Sequence, residues 1–431
     1  MNTAAGGEIV SRMSGQAGSG DVGVVLAGGG ARGAYEIGAL SELLPALPAD
    51  ERPRVIVGTS VGAVNASYLA ATADEPAETA LARGAAMWEA MGEWESALAP
   101  LVSFAQIRMA WRAAADVLGF PGARTWALLD PSPLRGTLSG RIPFDRIRPN
   151  VESGAVTAAA VVATRAATSL SVVFCDCAER PPRPDLRRGI EYAQTELSID
   201  HVLASAAIPA AFPAVEVREP PDARGWYFDG GTRLNTPIRP ALDFGCAKLI
   251  VIALHPPRVT QASAGTRRPQ VLDGVGALLQ GALVDPLVND VLTLTTINRA
   301  VLEGSADGSF QPVPYILIAP EEPFEIGEVA TRVYREHYKG LRRRRGSVAR
   351  LARVLDVEDG LPRGELLSYL FFDRDFIGEL IELGRRDARR WLSQTHDLGH
   401  WRTGPLPGEA HGRSGAVASR SSAKSDSSAA T

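Results

Sequence analysis

Short, almost unbroken apolar runs alternate along the chain with longer segments in which apolar residues recur at helical spacing. Helical spacing covers residues 31–44 and a segment that begins at about Val61. Continuous apolar strands that alternate with helices are typical of a mostly parallel sheet covered on both faces. The pattern therefore predicts an α/β fold. The runs that predict strands are 22–27 (VGVVLA), 54–58 (RVIVG), 156–163, 170–176, 226–229 (WYFD), 248–254 (KLIVIAL) and 313–319 (VPYILIA).

The same patterning divides the chain into four parts. Residues 1–20 are rich in Gly, Ser and Ala, which predicts a flexible N-terminal arm. Residues 21–320 hold the alternating strands and helices of one large domain. Residues 321–402 are mainly helical in pattern, and we expect them to form an extension packed on that domain. Residues 403–431 have few apolar side chains and predict a disordered tail.

Composition and charge narrow the possible functions. Of the 431 residues, 45% are hydrophobic and 22% charged, and the net charge of -4 gives no general attraction to nucleic acid. No apolar stretch reaches the roughly 20 residues of a spanning helix, and the N-terminus lacks the apolar core of a secretory signal. We therefore expect a cytoplasmic protein without a transmembrane segment. Three cysteines are too few for a disulfide framework, and they lack the second pair of a usual metal site.

A glycine-rich loop between the first strand and the first helix is the first candidate for chemistry. It fits the G-x-G-x-x-G pattern of a dinucleotide-binding turn, but the next strand ends in Ser60 instead of the ribose-binding acid that such a turn needs. Such a loop still exposes backbone N–H groups beside the positive end of a helix dipole. We interpret it as an anion site, which suits a transient oxyanion. Its residues are Gly28, Gly29, Gly30, Ala31, Arg32 and Gly33.

The second predicted strand runs into the sequence GTSVG, residues 58–62, and a helix follows directly. This fits Gly-x-Ser-x-Gly, in which the serine sits on a sharp, strained turn between a strand and a helix. Gly58 and Gly62 would let that turn close without clashes, and Ser60 would be the nucleophile. Both loops leave the C-terminal ends of strands that we expect to be neighbours, where open α/β sheets place their sites.

A serine hydroxyl needs a base, and two residues are candidates. His255 follows an apolar strand, and the order Ser60, Asp229, His255 would match an ordinary α/β-hydrolase triad. Asp229 instead follows the run WYF and precedes two glycines, so its carboxylate is held at a strand end by a tight turn. If burial raises its pKa, an Asp can take the serine proton directly. The residues alone leave this choice open.

Taken together, these motifs resemble those of the patatin-like phospholipase family. The loop GGGARG resembles the family's oxyanion loop, GTSVG its nucleophile elbow, and residues 204–213 (ASAAIPAAFP) its A-S-x-x-x-P-x-x-F-P segment. Asp229-Gly230-Gly231 resembles the motif of its second catalytic residue, with Asn235 and Pro237 at the family's spacing. The core resemblance covers about residues 21–256. Weaker similarity continues to about residue 390.

The resemblance implies a three-layer α/β/α fold and hydrolysis of acyl esters in lipids through a Ser–Asp dyad without histidine. Carried over by position, Ser60 is the nucleophile and Asp229 the base. The N–H groups around Gly28, Gly29, Gly30 and Ala31 form the oxyanion hole, and Arg32 braces that loop. No metal or organic cofactor is implied. The implied partner is a lipid at a membrane or micelle surface, not nucleic acid.

Two other functions remain open at this stage. The same acyl-serine could pass its acyl group to an alcohol or lysolipid, which would make the protein an acyltransferase. Alternatively, the fold could serve as a catalytically silent lipid-binding or regulatory module. Four tryptophans between the elbow and the 156–163 run predict core packing, with an acyl-chain groove or a cap that meets the lipid surface as the alternative. They are Trp88, Trp94, Trp111 and Trp126.

Overall fold

The computed structural model describes residues 20–92, 132–209, 211–257, 312–338 and 361–404, with a few positions between 294 and 301. Its described strands form one sheet. The strands are β1 (Val22–Leu26), β2 (Pro53–Thr59), β3 (Ala158–Arg165), β4 (Ser171–Cys177), β5 (Ile190–Gln194), β6 (Val215–Val217), β7 (Gly225–Asp229), β8 (Lys248–Ile252) and β9 (Tyr315–Ile318). The helices are α1 (Gly33–Ala46), α2 (Val61–Ala71), α3 (Ala77–Met91), α4 (Ser132–Ser139), α5 (Ile147–Glu152), α6 (Ile199–Ser205), α7 (Ile238–Asp243), α8 (Glu325–Tyr338), α9 (Leu361–Leu370) and α10 (Arg374–Ser393).

The strand order is β5-β4-β3-β2-β1-β8-β9, with β7 paired to β3 and β6 paired to β7. The pairs β1–β2, β2–β3, β1–β8, β8–β9 and β4–β5 are parallel, while β3–β4, β3–β7 and β6–β7 are antiparallel. The chain steps from β1 to β3 in one direction, and β8 and β9 lie on the other side of β1. Because such crossovers are right-handed, helices from the two halves cover opposite faces. The fold is therefore three-layer α/β/α around a mostly parallel sheet.

Apolar continuity explains which strands the sequence predicts. Every residue of β1 and β4 is buried, as are the last five residues of β2, so their sequences read as unbroken apolar runs. The strands β5 and β6 carry partly exposed side chains and were not predicted. The sequence prediction of a mostly parallel sheet covered on both faces is confirmed.

The C-terminal helices lie against the start of the chain. Helix α10 crosses α1 so closely that Gly38 faces the backbone of Ile381 and Gly384 faces the backbone of Tyr35, which leaves no room for a side chain at either glycine. The Tyr35 hydroxyl donates to the carboxylate of Asp387 at 2.8 Å, across the same helix pair. This packing fixes α9, the helix just before α10, against the glycine loop. The division at residues 320 and 402 stays a prediction, and the arm and nearly all of the tail lie outside the described residues.

Candidate active site

Sheet register brings the three sequence motifs to one edge of the sheet. Leu26 at the end of β1 pairs with Gly58 of β2, so the glycine loop and the serine turn begin side by side. Thr59 pairs with Val162 of β3, and the next residue, Ala163, pairs with Asp229 of β7. The antiparallel β7 therefore delivers its last residue to the position where β2 ends.

Ser60 has the strained geometry of a nucleophile elbow. Its φ of 55° and ψ of -119° lie in a region that non-glycine residues rarely adopt, and such strain concentrates at functional sites. A Cβ on Gly58 would overlap the carbonyl oxygen of Gly62, and a Cβ on Gly62 would overlap that of Leu26. The two glycines are thus the residues that allow the turn to close, as the sequence predicts.

The Ser60 hydroxyl donates a hydrogen bond to Asp229 Oδ2 at 2.6 Å, and both residues are buried. The other carboxylate oxygen accepts the Gly231 N–H at 2.6 Å, which fixes the Asp229 side chain. Burial raises the pKa of Asp229 to about 6, although the hydrogen bonds from Ser60 and Gly231 oppose this rise. Asp229 is therefore a carboxylate of unusual basicity that contacts a strained serine.

The segment at Ser205 and Ala207, to which the sequence assigned no role, forms hydrogen bonds with the backbone of both Ser60 and Asp229. The Ser60 N–H donates to Ser205 Oγ at 2.8 Å, and Ser205 in turn donates to the carbonyl oxygen of Val162 at 2.6 Å. The Asp229 N–H donates to the carbonyl oxygen of Ala207 at 2.9 Å. The family-like run at residues 204–213 was the only signal for this role, and the sequence cannot show which backbone groups Ser205 contacts.

The glycine loop offers fewer free donors than the sequence suggests. The N–H of Gly28 donates to the carbonyl oxygen of Asn235, that of Arg32 to Gly29, and that of Gly33 to Gly30. Among the described residues, the N–H groups of Gly29, Gly30 and Ala31 make no backbone hydrogen bond outside the 3₁₀ turn. A donor already in a hydrogen bond cannot bind a new anion without losing its present partner. The candidates for binding an oxyanion are therefore the N–H groups of Gly29, Gly30 and Ala31.

Asn235 holds this loop from below. Its side-chain Nδ2 donates to the backbone carbonyl oxygen of Gly28 at 3.3 Å. The backbone carbonyl oxygen of Asn235 accepts the Gly28 N–H at 3.1 Å. The sequence showed only that Asn235 stands at the family's spacing after Asp229. Its contact with Gly28 closes the link between the loop after β1 and the turn after β7.

The Arg32 side chain extends from the glycine loop to helix α9. Its guanidinium is fully buried and donates from Nε to Ser368 Oγ at 2.8 Å, and from Nη2 to the Glu365 carboxylate at 2.5 Å. It also lies over the Tyr369 ring, 3.8 Å from the ring centre. Arg32 thus connects the glycine loop to α9, which is how it could brace the loop.

His255, the alternative base, belongs to this same arginine cluster. Its Nε2 lies 2.9 Å from Arg32 Nη1 and 3.2 Å from the Tyr369 hydroxyl. Desolvation of the ring, together with the nearby Arg32 charge, lowers the pKa of His255 to about 4. The imidazole is therefore neutral at pH 7 with Nε2 engaged as an acceptor from Arg32, and the residue in contact with the serine hydroxyl is Asp229.

An apolar cleft opens beside Ser60. Its walls come from α2, α3, α4, the segment after α6 and the end of α9, and its side chains include Val64, Trp88, Met91, Phe212 and Phe372. Trp88 is only 1% exposed and donates its indole N–H to Asn65 Oδ1 at 2.9 Å, so it both packs in the core and lines the cleft. The other three tryptophans of the predicted insert lie outside the described residues.

The Asn65 amide ties the elbow helix to the loop helix. It donates to the carbonyl oxygen of Gly33 at 2.9 Å and to the carboxylate of Glu36 at 2.8 Å. Glu36 is fully buried, and desolvation raises its pKa well above the ordinary value. The hydrogen bond from Asn65 opposes this rise, so it stabilises the charged form of the buried carboxyl group.

Within the described ranges, no cluster of three or more His, Cys, Asp or Glu side chains is arranged to hold a metal ion. The same part of the chain contains no helix that is long and apolar enough to cross a membrane.

A protein family and a solved structure are similar to this chain. A model of the patatin-like phospholipase family matches residues 24–242, which contain the glycine loop, Ser60 and Asp229. A search of curated proteins gave no match. Among solved structures, the crystal structure of VipD from Legionella pneumophila is similar at 13% identity over 84% of this chain and 67% of VipD, with a TM-score of 0.29. Because the family model spans more than half of the 431 residues, the chain belongs to the patatin-like phospholipase family.

Proposed function

We propose that the protein is a serine acyl hydrolase that cleaves fatty acyl esters of lipids through a Ser60–Asp229 dyad. The observation that carries this proposal is the 2.6 Å hydrogen bond from the strained Ser60 hydroxyl to a buried carboxylate, at the mouth of an apolar cleft. A nucleophile, a base and an apolar cleft in this arrangement match the requirements of acyl transfer from a lipid ester. Membership of the family supports the substrate class.

In the proposed mechanism, Ser60 Oγ attacks the ester carbonyl carbon while Asp229 Oδ2 accepts the hydroxyl proton. The negative charge on the former carbonyl oxygen is stabilised by the N–H groups of Gly29, Gly30 and Ala31, next to the positive end of α1. Collapse of the tetrahedral intermediate expels the alcohol, which takes the proton from Asp229. Water then attacks the acyl-serine by the same route and releases the fatty acid.

The apolar cleft is the proposed site of the acyl chain. Each buried methylene stabilises binding by about 0.8 kcal/mol, so the apolar walls favour the acyl side of an ester at Ser60. Lipid substrates of this kind lie in membranes or micelles, and we propose that the protein acts at such a surface as a peripheral protein.

The test is a hydrolysis assay on a panel of phospholipids, lysophospholipids, neutral lipids and short-chain esters. We expect release of free fatty acid from at least one lipid class, and covalent labelling of Ser60 by a fluorophosphonate probe. If an added lysolipid or alcohol received the acyl group in preference to water, the protein would be an acyltransferase. Absence of both hydrolysis and Ser60 labelling would favour a silent lipid-binding module.

The pH dependence distinguishes the two candidate bases. Asp229 acts as a base only when ionised, and burial raises its pKa to about 6, so kcat/KM should fall as the pH drops through about 6. The fall should be about tenfold per pH unit, because one proton is involved. If His255 were the base, its pKa of about 4 would keep kcat/KM constant down to about pH 4. A circular-dichroism spectrum that stays unchanged at the low pH would exclude acid unfolding as the cause.

A further inference from the structure

The guanidinium of Arg32 is held almost entirely by residues from the far end of the chain. Arg32 lies in the 3₁₀ turn Gly30–Arg32, between the loop that offers free N–H groups and helix α1. Its Nη2 donates to both the carbonyl oxygen and the carboxylate of Glu365, more than 300 positions away. Nε donates to Ser368, on the same face of α9. These acceptors lie outside residues 24–242, the part that the family model matches.

Glu365 supplies the charge that makes this burial of Arg32 possible. The Arg32 side chain is 0% exposed and the Glu365 side chain 13% exposed, so water screens the pair only weakly. Burial alone would raise the pKa of Glu365, but Arg32, His255 and the Gly327 N–H keep it below the ordinary value, so the carboxylate is ionised. The second oxygen accepts from Gly327 at 3.1 Å, which ties Glu365 to α8.

The backbone of α9 also fixes the loop at Gly30. Gly30 has a φ of +61°, and its Cα faces the carbonyl oxygen of Tyr369 so closely that a Cβ would overlap it. The loop is therefore held by α9 on both sides of Ala31. Within the described part of the chain, the loop N–H groups that make no backbone hydrogen bond outside the 3₁₀ turn are those of Gly29, Gly30 and Ala31.

We propose that Glu365 is a positioning residue, which through Arg32 holds the glycine loop in the shape that presents these three N–H groups to the oxyanion. This inference rests on the proposed function, because it assigns the loop to the acyl-transfer step. Glu365 does not touch the reacting atoms. Its effect should therefore appear in kcat, where donor geometry matters, and much less in KM, which reflects the apolar cleft.

The main test is Glu365→Gln, which keeps the size of the side chain and removes its charge. A displacement of about 1 Å at a reacting centre can lower the rate about 100-fold. We expect kcat to fall about 10- to 100-fold and KM to change less than about threefold. The matched control is Glu379→Gln on α10, where Glu379 pairs with Arg332 but both side chains are nearly half exposed, so kcat should not change.

The double variant Arg32→Gln/Glu365→Gln separates positioning from stability. Glu365→Gln alone leaves a buried arginine without its counter-charge and should lower the melting temperature, whereas removal of both charges should restore it. If Glu365 positions the loop, kcat stays low in the double variant although stability returns. Recovery of kcat together with the melting temperature would overturn the proposal, because Glu365 would then act only on stability.

A milder variant keeps the test valid if Glu365→Gln does not fold. Ser368→Ala removes the acceptor of Arg32 Nε and leaves the ion pair intact, so kcat should fall about three- to tenfold with KM unchanged. An unchanged kcat in folded Glu365→Gln or in Ser368→Ala, measured beside an active wild type, would overturn the inference alone. A wild type inactive on every ester would instead overturn the proposed function.

Discussion

Ser60→Ala is expected to lower kcat/KM for lipid ester hydrolysis by about 10⁴- to 10⁶-fold, since Ser60 is the proposed nucleophile that forms the acyl-enzyme. The variant should fold, because removal of one hydroxyl leaves the elbow backbone and its hydrogen bond to Ser205 in place. Release of fatty acid from the best lipid of the panel measures the effect. The matched control is Ser41→Ala, because Ser41 lies on α1 and its hydroxyl contacts the carbonyl oxygen of Gly38. Undiminished hydrolysis by Ser60→Ala would contradict the proposed nucleophile.

Asp229→Asn should lower kcat/KM by about 10⁴-fold, because an amide can orient Ser60 but cannot accept its proton. The fold should survive this change. Burial raises the pKa of Asp229 to about 6, so the protonated carboxyl group stabilises the fold below the unfolded pKa, and that contribution is lost as the group ionises while the pH rises through about 6. At pH 7.5 the neutral asparagine should therefore keep or raise the melting temperature.

The control for Asp229→Asn is Asp200→Asn, which breaks an ion pair with Arg135 in which both side chains are about half exposed. That variant should keep full activity. If Asp229→Asn remained active, the dyad would be wrong. The triad through His255 would then return as the explanation, provided that His255→Ala lost activity completely and not only by the modest factor expected from its contact with Arg32.

The residues that could be predicted are those whose role is local. Gly58, Ser60 and Gly62 lie within five positions of one another, and the need for a sharp turn between strand and helix can be read from that spacing alone. Burial of Asp229 follows in the same way from the apolar run before it and the two glycines after it. Local constraints of this kind depend on backbone geometry, which sequence spacing encodes.

The partners of Arg32 could not be predicted from spacing. The sequence indicates that an arginine stands in the loop, but Glu365 lies in a helix whose packing depends on the contact between α10 and α1. Gly28 shows the same limit on a smaller scale. Its place in a glycine run suggested a free N–H, whereas this N–H donates to the backbone carbonyl oxygen of Asn235. Hydrogen bonds between residues far apart in the sequence decide which N–H groups stay free, and these contacts cannot be inferred from the spacing of residues in one sequence.

Gly30→Ala should lower kcat/KM about 100- to 1000-fold, the usual effect of losing one oxyanion donor. Two causes act together. The φ of +61° at Gly30 costs an alanine about 1–2 kcal/mol, and the added Cβ would overlap the Tyr369 carbonyl oxygen. The loop must then move away from α9, which turns the N–H groups of Gly29 to Ala31 out of position.

Gly378→Ala is the matched control for this variant. Gly378 lies inside α10, and no heavy atom lies within 4 Å of the position that its Cβ would take. An alanine there should leave kcat/KM unchanged and raise the free energy of unfolding by about 1 kcal/mol, the difference in helix propensity. Thermal unfolding and ester hydrolysis on the two variants test this contrast. If Gly30→Ala were as active as Gly378→Ala, the N–H groups around Gly30 would not stabilise the oxyanion, since the loop cannot accept a side chain at that position without moving.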